Sequence, residues 1–199
     1  MLKLFLGKFA ILNPQNCKYS TMDKSFIDSM KEEPVYKIFL AGPIRGNLVW
    51  RNKIIQELKT KLSNIDINVC ILNPQGDMTS ETFEKNANHE DQINWETIMM
   101  GVADCILFDI PSPEEANIDN YARTTRFELG EWVGRIESHN NMHTQLVIWM
   151  NNAFPGKEYI VQRLLEFHKH NAFQNAHYII NELDIVDTLV RLIQLPTFN

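Results

Sequence analysis

Residues 103–113, ADCILFDIPSP, and residues 121–132, YARTTRFELGEW, decide the fold between them. The first is an apolar run of strand length ended by prolines. The second opens on polar and cationic residues and passes into helix-compatible sequence through Trp132 and Val133. The order is strand, long polar loop, helix start. In open α/β sheets, ligands bind outside the carboxyl ends of the strands, so a site is expected along this loop and helix start. Glu128 falls beside Gly130, on what this pattern makes the first helical turn. A carboxylate there can act on a bound molecule, or it can merely complement the positive end of the helix. This stretch leaves both readings open.

The same alternation extends in both directions. Residues 35–41 (VYKIFLA), bounded by Pro34 and Gly42, read as the first core strand. Helical spacing of Ile54, Ile55, Leu58 and Leu62 marks a helix over 50–62. Residues 65–72 (IDINVCIL) form a second strand, ended by Asn73-Pro74-Gln75-Gly76, and residues 77–90 a long polar loop. A helix over 93–102 leads into the third strand, 103–110, and another is expected over about 127–136. Strands at 145–150 (QLVIWM) and 176–180 alternate with helices at 159–167 and 185–195. This order implies βαβ units with right-handed crossovers. The expected fold is α/β: a flavodoxin-like, doubly wound sheet of about five parallel strands with helices on both faces. LNPQ occurs at Leu12 and again at Leu72; two short matches do not make a repeat architecture, and they read as coincidence.

Residues 1–34 stand apart from this pattern. No acid precedes Asp23, and Lys3, Lys8 and Lys18 make the stretch basic. Its apolar run at 4–12 resembles a short targeting segment but lacks arginine and a small-residue cleavage site. The expectation is a loosely attached extension, 1–34, ahead of a single domain, 35–199.

The composition narrows the classes. The 199 residues suit one domain, and 44% hydrophobic residues suffice for a core. A net charge of −6 argues against a nucleic-acid-coating surface. No apolar run is long enough to span a membrane. Three cysteines are too few for a disulfide framework; Cys70 and Cys105 lie in apolar runs as core residues, and a reducing, cytoplasmic setting is expected. His168 and His170, two apart on a helix, do not share a face, so no metal site is expected, and no cofactor.

Two further features carry chemistry. GPIRGN, residues 42–47, sits between the first strand and the next helix. Its glycines allow close backbone approach, and the helix-terminal N–H groups with Arg45 favour an anion or a polar sugar. It is neither a dinucleotide fingerprint nor a P-loop. Glu96, in QINWETIMMGVAD, lies two helical turns before Asp104, with Ile93 and Met100 directed elsewhere on the helix. Paired carboxylates are the usual equipment for breaking a glycosidic bond. The plain alternative is a solvated glutamate.

Taken in order, IFLAGPIRG, ILNP, QINWE, AD.ILFDIP and YARTTRFELGEW resemble the nucleoside 2-deoxyribosyltransferase-like family, over about residues 35–150, and GPIRG with the ELG turn also resembles the related 2′-deoxynucleoside 5′-phosphate N-hydrolases. The resemblance implies cleavage of the N-glycosidic bond of a 2′-deoxynucleoside. Glu128 would attack C1′, and Glu96, aspartate in many relatives, would hold a sugar hydroxyl or assist the leaving base. Gly42, Pro43, Ile44, Arg45 and Gly46 would line the sugar or its 5′ side. Thr124 and Thr125 would donate hydroxyls, and Arg126 would help keep Glu128 charged. Asn73 and Asp109, in the ILNP and ILFDIP blocks, complete the substrate-binding set, and Trp50 and Trp95 are candidates for stacking on the base. Ile38 or Phe39 stands where some transferases carry a tyrosine.

Three functions follow. The first is transfer of deoxyribose between bases. The second makes water the acceptor and a 5′-monophosphate the substrate, as Arg45 suggests. The third is a catalytically silent nucleotide-binding module. The expected partners are a nucleoside or nucleotide and a free base, in a homo-oligomer, with no nucleic acid or membrane.

Overall fold

The computed structural model describes residues 8–43, 49–76, 89–111, 122–138, 144–169, 176–179 and 182–195. The sheet runs β1 (Phe9–Leu12), β2 (Tyr36–Ala41), β3 (Val69–Leu72), β4 (Cys105–Ile110), β5 (Gln145–Met150) and β6 (Ala176–Ile179), in the order β1-β3-β2-β4-β5-β6. The helices are α1 (Lys24–Glu32), α2 (Val49–Leu62), α3 (His89–Val102), α4 (Arg123–Ser138), α5 (Lys157–Lys169) and α6 (Asp184–Gln194). Without β1 the strand order is that of a flavodoxin-like sheet. Among the described residues no helix is long and apolar enough to cross a membrane.

The chain divides into two units, residues 1–40 with 48–105 and residues 41–47 with 106–199. In the first, β3 is flanked by β1 and β2, both parallel to it. Ile38, Leu40, Cys70, Ile71 and Leu72 are all at 0% exposure. Such continuous apolar runs, rather than alternation, mark strands covered on both faces. Burying each of the leucine and isoleucine side chains stabilises by roughly 1.5–3 kcal/mol. In the second unit β5 and β6 pair in parallel. Its helix α6 buries Ile185, Val186, Leu189, Leu192 and Ile193, a helical stripe.

The N-terminal segment departs from the expected loose attachment. Residues from 8 onward belong to the first unit: β1 pairs with β3 from Phe9↔Val69 to Leu12↔Leu72. Asp23 caps α1 by accepting the Phe26 N–H at 2.8 Å, and Phe26 and Met30 are buried. The segment was set apart because β1 is only four residues long and its strand character depends on a partner sixty positions away.

The LNPQ repeat is likewise structural rather than coincidental. Its two copies end β1 and β3 in register, with Leu12 opposite Leu72. Each asparagine then closes the same local turn: Asn13 Oδ1 accepts the Gln15 N–H at 3.0 Å, and Asn73 Oδ1 accepts the Gln75 N–H at 3.2 Å. The Asn73 N–H donates to the Leu12 carbonyl at 2.8 Å, joining the turns.

Three boundaries moved by four residues, and the others by two or fewer. The second strand begins at Val69 rather than residue 65, α3 begins at His89 within the expected loop, and α4 begins at Arg123 rather than 127. The rest of that loop, residues 77–88, lies outside the described residues.

Candidate active-site residues in the two units

In the first unit the site residues gather around Glu96. It is half-buried on α3, one turn from Gln92 and one turn from Met100, both buried. Residues four apart share a helix face, so Met100 lies beside Glu96 rather than elsewhere; Ile93 does point away, 62% exposed. Glu96 is therefore not on the solvated face. The Gln92 side-chain amide donates to Glu96 Oε1 at 2.5 Å and to the Pro74 carbonyl at 3.0 Å. Burial pushes the Glu96 carboxyl above its ordinary value, against the opposing effects of the Gln92 bond and the Arg51 charge.

Arg51 was not foreseen. Its guanidinium is buried at 1% exposure, donating from Nε to the Leu40 carbonyl at 3.3 Å and from an Nη to Gln75 Oε1 at 3.1 Å. A buried guanidinium needs such partners, and its charge acts on the Glu96 carboxyl. The signal was present in the sequence: Arg51 continues the stripe of Ile54, Ile55, Leu58 and Leu62, where a cation has no reason to be unless it is engaged.

The two tryptophans differ from expectation. Trp95 is fully buried, donates from Nε1 to the Cys17 carbonyl at 2.8 Å, and packs against Phe39 with ring centroids 6.3 Å apart. It is a core residue and has no face for a base. Trp50 is buried, with the Arg51 guanidinium 4.4 Å from its ring centroid, so that face too is occupied. Its indole N–H is buried and makes no hydrogen bond among the described residues. Asn73, at 3% exposure, shapes the turn after β3 through its own backbone neighbours.

In the second unit the site residues lie on α4 and at the end of β4. Because α4 starts at Arg123, Glu128 stands in its second turn and not its first, and no acid occupies the first turn. Attraction to the helix dipole falls off within one turn, so it does not explain Glu128. Ala122, Thr125, Leu129, Trp132 and Ile136 form the buried face. Glu128 lies on its margin, three residues after buried Thr125 and four before buried Trp132, and is half-exposed. Thr124 faces outward, and so does Arg126, whose guanidinium stands 6.0 Å from the Phe154 ring centroid. Two residues apart on a helix, Arg126 and Glu128 do not face each other. Ala122, just before α4, adopts φ 44°, uncommon for a residue with a Cβ.

Asp109, on β4, is buried at 4% exposure. Of the GPIRG turn, Gly42 and Pro43 are described and Pro43 is buried; Ile44, Arg45 and Gly46 lie outside the described residues. The three cysteines are buried, and burial pushes the thiols up, to about 11 for Cys17 and about 12 for Cys70. Among the described residues no group of three His, Cys, Asp or Glu side chains is arranged to hold a metal ion.

No curated protein matches the chain. A crystal structure of a conserved protein from Enterococcus faecalis V583 is similar over 79% of this chain and 98% of its own, with 12% identity and a TM-score of 0.46. The family described as nucleoside 2-deoxyribosyltransferase like matches residues 35–142, more than half of the chain, and the matched stretch includes both Glu96 and Glu128. The chain belongs to the nucleoside 2-deoxyribosyltransferase-like family.

Proposed function

We propose that the protein breaks the N-glycosidic bond of a 2′-deoxynucleoside and transfers the deoxyribose to another base. In the first step a Glu128 oxygen bonds to C1′ while the C1′–N bond breaks and its electron pair leaves with the base. In the second, a nitrogen of the incoming base bonds to C1′ and Glu128 is released as a carboxylate. Glu96 handles the proton that the departing base gains and the incoming base loses, or orients a sugar hydroxyl.

The observation that carries this reading is the placement of Glu128. On the margin of the buried face of α4, it is partly dry, reachable, and unexplained by helix capping. A carboxylate nucleophile requires that combination. Glu96 supports it: a half-buried carboxyl whose proton is held to higher pH than usual suits proton handling. Asn73, Asp109, Thr125 and the Gly42–Pro43 backbone are assigned to substrate binding. Trp50 is assigned as a hydrogen-bond donor through its unpartnered indole N–H, in place of stacking.

The test is to incubate the protein with 2′-deoxynucleosides and their 5′-monophosphates, with and without a second free base, and to resolve the products chromatographically. A new nucleoside formed only with the second base is the expected result. Free base released from monophosphates regardless of acceptor would instead make water the acceptor. No product from any substrate would leave a binding module.

A further inference from the structure

Residues 8–34 lie ahead of the family match, which begins at residue 35. They nevertheless touch both supports of Glu96. The first support is α3 itself. Helix α1 and the short 3₁₀ turn at Tyr19–Thr21 pack against α3, and the Cys17 carbonyl accepts the indole N–H of Trp95, the residue next to Glu96, at 2.8 Å. The second support is the turn after β3, which reaches Glu96 through Gln92 and the Pro74 carbonyl. The first LNPQ turn buttresses it. The Asn73 N–H donates to the Leu12 carbonyl, and Gly76, at φ 62°, lies so close under Gln15 that a Cβ there would meet Gln15 Oε1 at 1.8 Å. The Cys17 carbonyl is itself fixed by the turn, since the Cys17 N–H donates to the Asn13 carbonyl at 2.9 Å.

We propose that residues 8–34 are a positioning element for the Glu96 carboxylate, acting through the Cys17–Trp95 hydrogen bond and the paired LNPQ turns. Trp95 and Asn13 are then positioning residues. The proposal rests on the reading that Glu96 serves the reaction. It explains why a copy of LNPQ outside the matched region stands in register with the copy inside it. The charged group acting on Glu96 is Arg51 of α2, whose described hydrogen bonds, to Leu40 and Gln75, do not involve residues 8–34.

The experiment uses the full chain. Trp95→Phe keeps an aromatic ring against Phe39, removes the donor to Cys17 and leaves a small cavity where the indole's second ring stood. Asn13→Ala loosens the first turn more than eighty residues from Glu96 in sequence. For each, kcat and KM are measured, and the Glu96 titration is followed by NMR of carboxyl-labelled glutamate, its signal assigned by its loss in Glu96→Gln. Both variants are expected to lower kcat about tenfold with KM changed less than about twofold, and to move the Glu96 titration midpoint. Folded variants with wild-type kcat and an unmoved midpoint would overturn the proposal. Should Trp95→Phe not fold, Asn13→Ala decides by the same two readouts. Full turnover in Glu96→Gln would remove the catalytic role of Glu96, while the titration still decides whether residues 8–34 position it.

Discussion

The side-chain amide of Gln92 spans the Glu96 carboxylate and the Pro74 carbonyl, at 2.5 and 3.0 Å, so that one nitrogen fixes a helix-borne acid to a strand-end turn. That geometry gives Glu96 a signature in stability. Its carboxyl is raised above 4.5 by burial, so the folded chain binds this proton more tightly than the unfolded chain does. The stability so gained is fully present below the unfolded value and is lost as pH rises through the folded one. Glu96→Gln removes the titration. Urea unfolding of both proteins from pH 4 to 8 is expected to show the variant gaining on the wild type as pH rises through that window. A difference independent of pH would mean that Glu96 titrates as an ordinary glutamate.

Glu128→Gln keeps the shape of the side chain and removes the nucleophile. Turnover is expected to fall by more than about a thousandfold, because a neutral amide is a far poorer nucleophile toward C1′ than a carboxylate. Glu128 is half-exposed, so its loss should move the melting temperature by no more than about 2 °C. Base-exchange kinetics with thermal unfolding on the same sample separates the two effects. Retained turnover in a folded variant would exclude Glu128 as the nucleophile.

Most of the sheet was legible because the strands of this fold are continuous apolar runs and its helices carry a 3.6-residue stripe. β4 and β5, all apolar but for Asp109 and Gln145, could be little else. β1 was not legible, because FAIL acquires strand character only by pairing with Val69–Leu72. The two carboxylates were legible from their blocks, whereas their surroundings were only partly so. Trp95 resembled a base-stacking residue in isolation, yet with Met99 and Val102 it lies on the buried stripe of α3. Arg51 was readable from its position on an apolar stripe. Gln92 was not, since one hydrogen of its amide goes to a turn eighteen residues away.

The buried Lys37 supplies a test of the first unit that is independent of the site. It is 3% exposed, with Nζ 2.8 Å from the Val35 carbonyl and 3.4 Å from Asp104 Oδ2; the same oxygen accepts the Lys37 backbone N–H at 2.7 Å. Asp104→Ala removes the ammonium's counter-charge, leaving it the Val35 and Glu33 carbonyls, and takes the acceptor from a backbone donor. Because Asp104 is 37% exposed, the cost is discounted for solvent to about 2 kcal/mol. Lys37→Met replaces the cation with an apolar chain of similar reach, and the partner it leaves is the exposed one, so it should cost under about 1 kcal/mol. Denaturant unfolding of the two variants measures the asymmetry. Equal costs would mean that the ammonium is not effectively desolvated.

Ala122 holds the start of α4, its carbonyl accepting the Arg126 N–H at 2.9 Å while its own φ is 44° and its exposure 4%. A Cβ in the left-handed region costs roughly 1–2 kcal/mol. Ala122→Gly removes that strain but adds freedom to the unfolded chain, worth about 0.5–1 kcal/mol in the opposite sense. Loss of the buried methyl, about 0.8 kcal/mol, adds to the second, and the variant is expected within about 1 kcal/mol of the wild type. Ala122→Val has no such balance. A branched Cβ is least tolerated at positive φ, and the site is buried, so a loss of at least about 2 kcal/mol is expected. The phase of α4 is set at this residue, and with it the division between buried Thr125 and half-exposed Glu128. Ala122→Val should therefore also lower kcat in the fraction that remains folded. A valine variant as stable and as active as the wild type would show that the left-handed start of α4 is neither strained nor needed.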